Sequence, residues 1–247
     1  MQKERKLINV SFHLAAHSFI LPGISSEEAL SAWAQSGRPI DAKAEILFDK
    51  KLPMMAARRL DKGTRLALEV SLSLLEGRKA DALVFSSRHG ELPKSEKLLS
   101  IIQQGRDVSP TDFSMSVHNA AAGTLTIREK LCIPSASISS GADSFHSGLI
   151  EAYGQLCSGA ESVLLIDFEN PMPPMLGDSF DHKFEPFYYA FGCLLTKGKD
   201  ISIDMEYQLE EEPSEPSSLQ LLRALSLRSP QFCTYGASTR FNWRCHG

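Results

Sequence analysis

The residues most able to do chemistry sit in one short stretch, Ser139-Ser140-Gly141-Ala142-Asp143-Ser144, small and polar between a strand-like segment and a helix-like one. A turn of this kind can carry a nucleophile, because the N-terminus of the following helix stabilises an anion above it. It can equally be a plain connection in which Asp143 or Ser140 caps the helix. On the residues alone both readings stay open, and a serine hydrolase or acyl transferase built on Ser140 or Ser144 would need a histidine brought to it. His89, on a loop after a strand, and His118, beside Asn119 and the small run Ala120 to Gly123, are the candidates. A loop histidine satisfied by backbone is the commoner case.

Other chemistries lack their signatures. The chain contains no G-x-x-x-x-G-K-[ST], G-x-G-x-x-G or G-x-S-x-G motif. Its seven histidines are scattered away from any cysteine pair, so neither a metal nor a cofactor is expected. The five cysteines, Cys132, Cys157, Cys193, Cys233 and Cys245, lie apart and mostly in apolar runs, which points to a reducing compartment. Cys132 and Cys157 read as core thiols. With a formal charge of −4 and no long basic run, nucleic acid is not the expected partner. The basic-then-apolar start only imitates a signal peptide, since His13 and His17 interrupt it. Nor does any run of apolar residues reach membrane-spanning length, and a cytoplasmic location is expected.

The elements that must position these residues alternate in type. Apolar segments at Leu7 to Leu14, Ala82 to Phe85, Val163 to Asp167 and Ala190 to Thr196 read as strands, with a smaller one at Ser135 to Ser139 after Pro134. Helical periodicity marks a segment after Ser25, taken as its N-cap with Glu28 completing a capping box, and Gly63 to Leu75, ending at Gly77. It also marks Ser95 to Gln104, with Leu98, Leu99, Ile101 and Ile102 packing inward, then Ser116 to Arg128 and Asp143 to Leu156. This order predicts a layered α/β fold. After residue 200 the texture changes. Ile201 to Leu209 alternates weakly, Glu210 to Ser218 is an acidic Pro/Ser-rich connector, and Leu219 to Leu227 is a short amphipathic helix. The aromatic tail with Phe232, Tyr235, Phe241 and Trp243 reads as an extension packing on the domain or on a partner, so the expected division is 1–200 and 201–247.

The block from Ser109 to Gly148 resembles the core of the β-ketoacyl synthases of the thiolase superfamily. Ser109-Pro110, Asn119, Gly123, Ile127, Pro134 and Ser137-Ile138 fall on the ketosynthase pattern without a gap, and Arg58-Arg59-Leu60-Asp61 resembles the arginine-rich start of a ketosynthase helix. The SxxHG stretch (Ser86 to Gly90) and SVHNA (Ser116 to Ala120) are similar to the ketosynthase-like N-terminal domains of chain length factors, common in aryl-polyene and related polyketide or fatty-acid pathways. The likeness covers roughly residues 5 to 196. It implies one half of a thiolase-like fold, with a mixed sheet and a buried central helix. It also places Ala142 where a ketosynthase carries its cysteine, and alanine cannot attack a thioester. The paired catalytic histidines of a ketosynthase come from a second half this chain lacks, so a non-catalytic role is implied.

By the same resemblance the strand Ser135, Ala136, Ser137, Ile138, Ser139 would pair across a two-fold axis with an active β-ketoacyl-ACP synthase. A half-thiolase would also lack the second sheet that covers its central helix, a second reason to expect a heterodimer. Phe113, Met115, Val117 and His118, with Phe145, would then line the floor of the partner's acyl tunnel, while Asn119 and Gly123 would be structural. An acyl carrier protein is a further candidate partner, facing the basic residues Lys50, Lys51, Arg58, Arg59, Lys62 and Arg65.

Overall fold

A computed structural model describes residues 8–176, 186–207 and 215–246. Residue Leu7 of the first expected strand, residues 208–209 of the weakly alternating stretch and 210–214 of the acidic connector lie outside the described residues.

One seven-stranded mixed sheet organises the chain. Its strands are β1 (Ile8–Ile20), β2 (Ala82–Ser86), β3 (Ser135–Ile138), β4 (Ser162–Glu169), β5 (Tyr189–Tyr207), β6 (Gln231–Tyr235) and β7 (Thr239–Cys245). The order is β3-β2-β4-β5-β7-β6, with β1 laid along β5. β2 runs parallel to both β3 and β4, and the other pairings are antiparallel. The helices are α1 (Glu27–Ser36), α2 (Met54–Ala57), α3 (Lys62–Leu75), α4 (Leu92–Gln103), α5 (Pro110–Ser114), α6 (Ala120–Glu129), α7 (Ser144–Cys157) and α8 (Ser217–Ser226).

The central strands are apolar throughout because both faces are covered, and side chains alternate between two cores with the two-residue period of a strand. Val84, Val163, Leu165, Phe191, Cys193 and Leu195 join α1, α7 and α8 on one face. Leu83, Phe85, Leu164, Ile166, Ala190 and Leu194 join α3 and α6 on the other. The result is the expected thiolase-like arrangement, a sheet between helical layers.

α3 is the buried central helix, with Leu66, Ala67, Leu68 and Val70 fully inaccessible. The chain's own segment before α3 supplies the cover: Leu52 and Ala57 are buried, and Ile46, Phe48 and Leu60 pack on the same core. Asp61 caps the helix, accepting from Gly63 N–H at 3.3 Å. Arg65 lies over the Phe48 ring at 3.7 Å and fixes that segment to the helix.

Several boundaries differ from expectation for identifiable reasons. β1 runs on to Ile20 through register shifts at Phe12/His13 and Leu14/Ala16, and these bulges break the alternation that seemed to end it. The N-cap of α1 is Ser26, not Ser25, its hydroxyl accepting from Ala29 N–H at 3.2 Å. On α4, Leu98 is buried, but Leu99 and Ile102 are 47% and 57% exposed. Cys132 and Cys157 are exposed rather than core thiols. β5 is continuous through Lys197–Asp200: its first half pairs with β4 and its second with β7, while β1 follows both. The sheet therefore crosses the 200/201 boundary. Phe241 and Trp243 are core residues, and Phe232 stacks on Trp243 at 5.3 Å.

Close approach of α3 to β5 depends on Gly192, where an added Cβ would lie 2.5 Å from Ile166 Cδ1 and 2.7 Å from Val70 Cγ1. Gly192→Ala is expected to lower stability by about 1–3 kcal/mol through overpacking, measured by urea unfolding.

Candidate functional site

The elbow between β3 and α7 is built from its own backbone first. Gly141 adopts φ +59°, the left-handed conformation glycine tolerates. Ser144 Oγ accepts from Ser140 N–H at 2.8 Å and donates to Gly141 C=O at 2.7 Å, closing the turn. Ser144 is 4% exposed. Its hydroxyl is thus committed to turn formation and is not half of a Ser–His pair.

Asp143, next to Ala142, reaches across the molecule. Its carboxylate accepts from Thr239 Oγ1 at 2.6 Å and from Ser238 N–H at 3.0 Å, both in or beside the β6–β7 turn. A Cβ at Gly236 would fall 1.9 Å from Asp143 Oδ1, so that turn needs glycine to approach this closely. The chain of bonds continues through His146, a fully buried side chain. Its Nδ1 is 2.7 Å from Thr239 Oγ1 and its Nε2 is 2.8 Å from Thr234 Oγ1. Trp243 Nε1–H donates to Thr234 Oγ1 at 2.9 Å. With Thr239 donating to Asp143, the consistent assignment has Nδ1–H donating to Thr239 and Nε2 accepting from Thr234. Burial lowers His146 to about 3, so it is neutral. Its ring stacks on Phe241 at 3.8 Å.

Over Ala142 the space is nearly filled. A cavity of about 20 Å³ remains, bounded by Arg88, Ala142, Asp167, Glu169, Tyr189 and Ser217 among others. That is room for about one water and not for an acyl thioester. Asp167 accepts from Ser86 Oγ at 2.6 Å, Ser218 Oγ at 2.6 Å and Tyr189 Oη at 2.8 Å. Glu169 accepts from Arg88 N–H at 2.7 Å and Asn170 N–H at 3.1 Å. Burial pushes Asp167 up to about 6 and Glu169 up to about 8. These acids were not singled out from the sequence, although two carboxylates alternating in the apolar run of β4 were a visible signal.

The other expected residues fall into different settings. Phe145 is 3% exposed and edge-on to Phe191 at 6.1 Å, so it belongs to the core and not to an open surface. Phe113 is 62% and Val117 37% exposed, His118 and Asn119 are also exposed, and Met115 is half-buried. Asn119 precedes α6 without a side-chain capping bond, and a Cβ at Gly123 would meet nothing. The close packing near them is made by Ala120, Ala121 and Ala122, which are buried. Among the described residues β3 has β2 as its one neighbour in the sheet and forms an edge. Ile127, on α6, is 82% exposed. Of the expected basic group, Lys51 is paired with Glu76, Arg65 lies on Phe48, and Lys62 lies over Tyr188 at 4.6 Å. Arg58 and Arg59 face outward. Among the described residues no cluster of three or more His, Cys, Asp or Glu could hold a metal, and no helix is long and apolar enough to cross a membrane.

A glycine-pivoted elbow between strand and helix, set in a mixed sheet covered on both faces, is the architecture of ketosynthase-like proteins. The family profile of the β-ketoacyl synthase N-terminal domain matches residues 30–244, and the chain belongs to that family. It is similar, at 37% identity and a TM-score of 0.91, to a chain in the structure of a ketosynthase (ApeO) in complex with its chain length factor (ApeC) from Xenorhabdus doucetiae. That match covers 95% of this chain and 99% of the other. The ishigamide ketosynthase/chain length factor shares the fold at a TM-score of 0.72 and 12% identity, over 96% of this chain and 100% of that one. A type II polyketide synthase acyl-carrier protein complex with its hexaketide-bound ketosynthase gives 0.71 at 10%, over 96% and 100%. None of the curated protein sequences matches the chain.

Glu169 supplies a pH signature. Its folded pKa lies above the ordinary 4.5, so its contribution is fully present below about pH 4.5 and is lost as pH rises through about 8. Glu169→Gln should remove that loss: between about pH 5 and about pH 8 wild-type stability falls relative to the variant, read by urea unfolding at both values.

Proposed function

We propose that this chain is a non-catalytic chain length factor that pairs with an active β-ketoacyl-ACP synthase and shapes its acyl tunnel, in polyketide or fatty-acid-type biosynthesis of the aryl polyene kind. The observation that carries the reading is the elbow itself. Position 142, aligned by resemblance with the ketosynthase cysteine, is alanine, and the space above it is packed with Arg88, Glu169 and Tyr189. Without a nucleophile and without room for a thioester, no condensation step can start there. The similar chain found in a ketosynthase–chain length factor complex supports the same reading.

Pairing through β3 has a physical rationale. An edge strand presents unpaired backbone donors and acceptors, and Ser135, Ala136, Ser137 and Ile138 form this one, followed by Ser139. Exposed Phe113, Val117 and Ile127 add apolar surface that water does not favour. In the pair, Phe113, Met115, Val117 and His118 would form the tunnel floor, while core-bound Phe145 would not. The tunnel would then limit chain length sterically, since a filled pocket resists further atoms at a cost of about 1–3 kcal/mol. An acyl carrier protein would approach the same assembly, with Lys50, Arg58 and Arg59 available to its acidic surface.

The test is reconstitution with a β-ketoacyl-ACP synthase partner, a carrier protein and extender units, reading product length by mass spectrometry. Phe113→Ala and Met115→Ala are expected to lengthen the product by at least one extension unit; unchanged lengths in both would remove the tunnel-floor role. Ala142→Cys, incubated with an acyl thioester, should acquire no acyl mass by intact-protein mass spectrometry, because the elbow is filled as well as unreactive. An acylated Ala142→Cys protein would contradict the packing argument.

A further inference from the structure

Away from the elbow, α2, α4 and α5 line a cleft of about 750 Å³ that shares Met115 with the proposed tunnel floor and Arg58 and Arg59 with the proposed carrier-protein surface, and whose Lys94 and Lys97 neither role uses. Its cations come from separate elements: Arg58 and Arg59 follow α2, and Lys94 and Lys97 lie on α4. Among the lining residues Asp112 is the one carboxylate. Among the described residues none of the four cations forms an ion pair, although Lys94 acts electrostatically on Asp61 and Glu91 and the other three have no such carboxylate. Lys94 Nζ lies 3.4 Å from the Arg59 carbonyl oxygen, and Arg58 Nη2 lies 3.5 Å from Met54 Sδ. Four positive residues line one cleft in a chain whose formal charge is −4. Like charges held together cost free energy unless an anion joins them, and guanidinium forks match phosphate oxygens in geometry. Leu60 and Met115 also line the cleft and offer apolar contact, and the volume lies in the range of small-ligand sites.

We propose that this cleft binds a phosphate monoester carrying an apolar group, with Arg58, Arg59, Lys94 and Lys97 around the phosphate and Leu60 and Met115 against the apolar part. Two sources share that chemistry, a soluble phosphate ester and a phosphatidate headgroup. The site does not rest on the chain-length-factor reading, because its residues are all present in the single chain.

Ligand-observed NMR on the full chain tests it with phenyl phosphate, inorganic phosphate and phenol as probes. Phenyl phosphate should bind, inorganic phosphate more weakly, and phenol more weakly still. The double variant Arg58→Gln/Lys97→Gln should weaken phenyl phosphate binding roughly tenfold. Both side chains are exposed, so an unchanged melting temperature would show that the fold is intact. Lys50→Gln, outside the cleft, should bind as wild type. Co-sedimentation with phosphatidic acid vesicles, lost in the double variant, would assign the phosphate to a lipid. Phenyl phosphate binding without vesicle binding would assign it to a soluble ester, and either result supports the site. Failure of phenyl phosphate to bind, equal binding of phenol, or binding unchanged in the double variant would overturn it.

Discussion

One carboxylate holds the two ends of this architecture together. Asp143 stands at the elbow before α7, and it accepts hydrogen bonds from Thr239 and Ser238, which lie nearly a hundred residues later in the chain. Through Thr239 it is joined to His146, and through Thr234 to Trp243, so elbow, helix and C-terminal hairpin form one hydrogen-bonded unit. Every donor in that line has a single direction. A buried, fully satisfied network is rigid, whereas losing one member leaves a costly unpaired group. The hairpin is therefore fixed to the sheet, and Ser217 at the start of α8 is held over the elbow, where Pro216 and Ser217 help close the cavity beside Ala142.

This closure leaves little space beside Ala142. A cavity of about 20 Å³ beside Ala142 is lined by Arg88, Glu169 and Tyr189, together with Asp167, which accepts from three donors. The buried acids Asp167 and Glu169 are raised toward neutrality by desolvation, which removes much of the cost of burying charge. The interior around the elbow is thus specialised for packing. Phe113, Val117 and Ile127 are turned outward, and β3 is an edge of the sheet.

Much of the fold was legible from residue pattern, for a simple reason. β2, β4 and the first half of β5 are buried on both faces and read as unbroken apolar runs, while α3 and α7 show helical spacing. Legibility failed where geometry departs from a regular period. Bulges hide the second half of β1, and the polar hump Lys197–Asp200 hides the continuity of β5. Leu99 and Ile102 read as inward although the helix turns them out. At the site, Ala142 and the elbow were visible as a short polar run between strand and helix. The residues that fill it were not, because Glu169, Tyr189 and Ser217 reach position 142 only through sheet pairing and the hairpin. The cover over α3 was likewise hidden, since Leu52 and Ala57 belong to a segment with little regular structure.

Pairing of the open edge with a ketosynthase strand is the claim on which the functional account turns. Amide hydrogen exchange across β3 addresses it directly, comparing the chain alone with the chain co-purified with a β-ketoacyl-ACP synthase partner. The account predicts that the amides of Ser135 and Ser137, which face away from β2, exchange readily in the free chain and become strongly protected in the complex, while those of β4 are protected in both. Equal exchange at β3 in the two samples, from a complex that demonstrably forms, would contradict it.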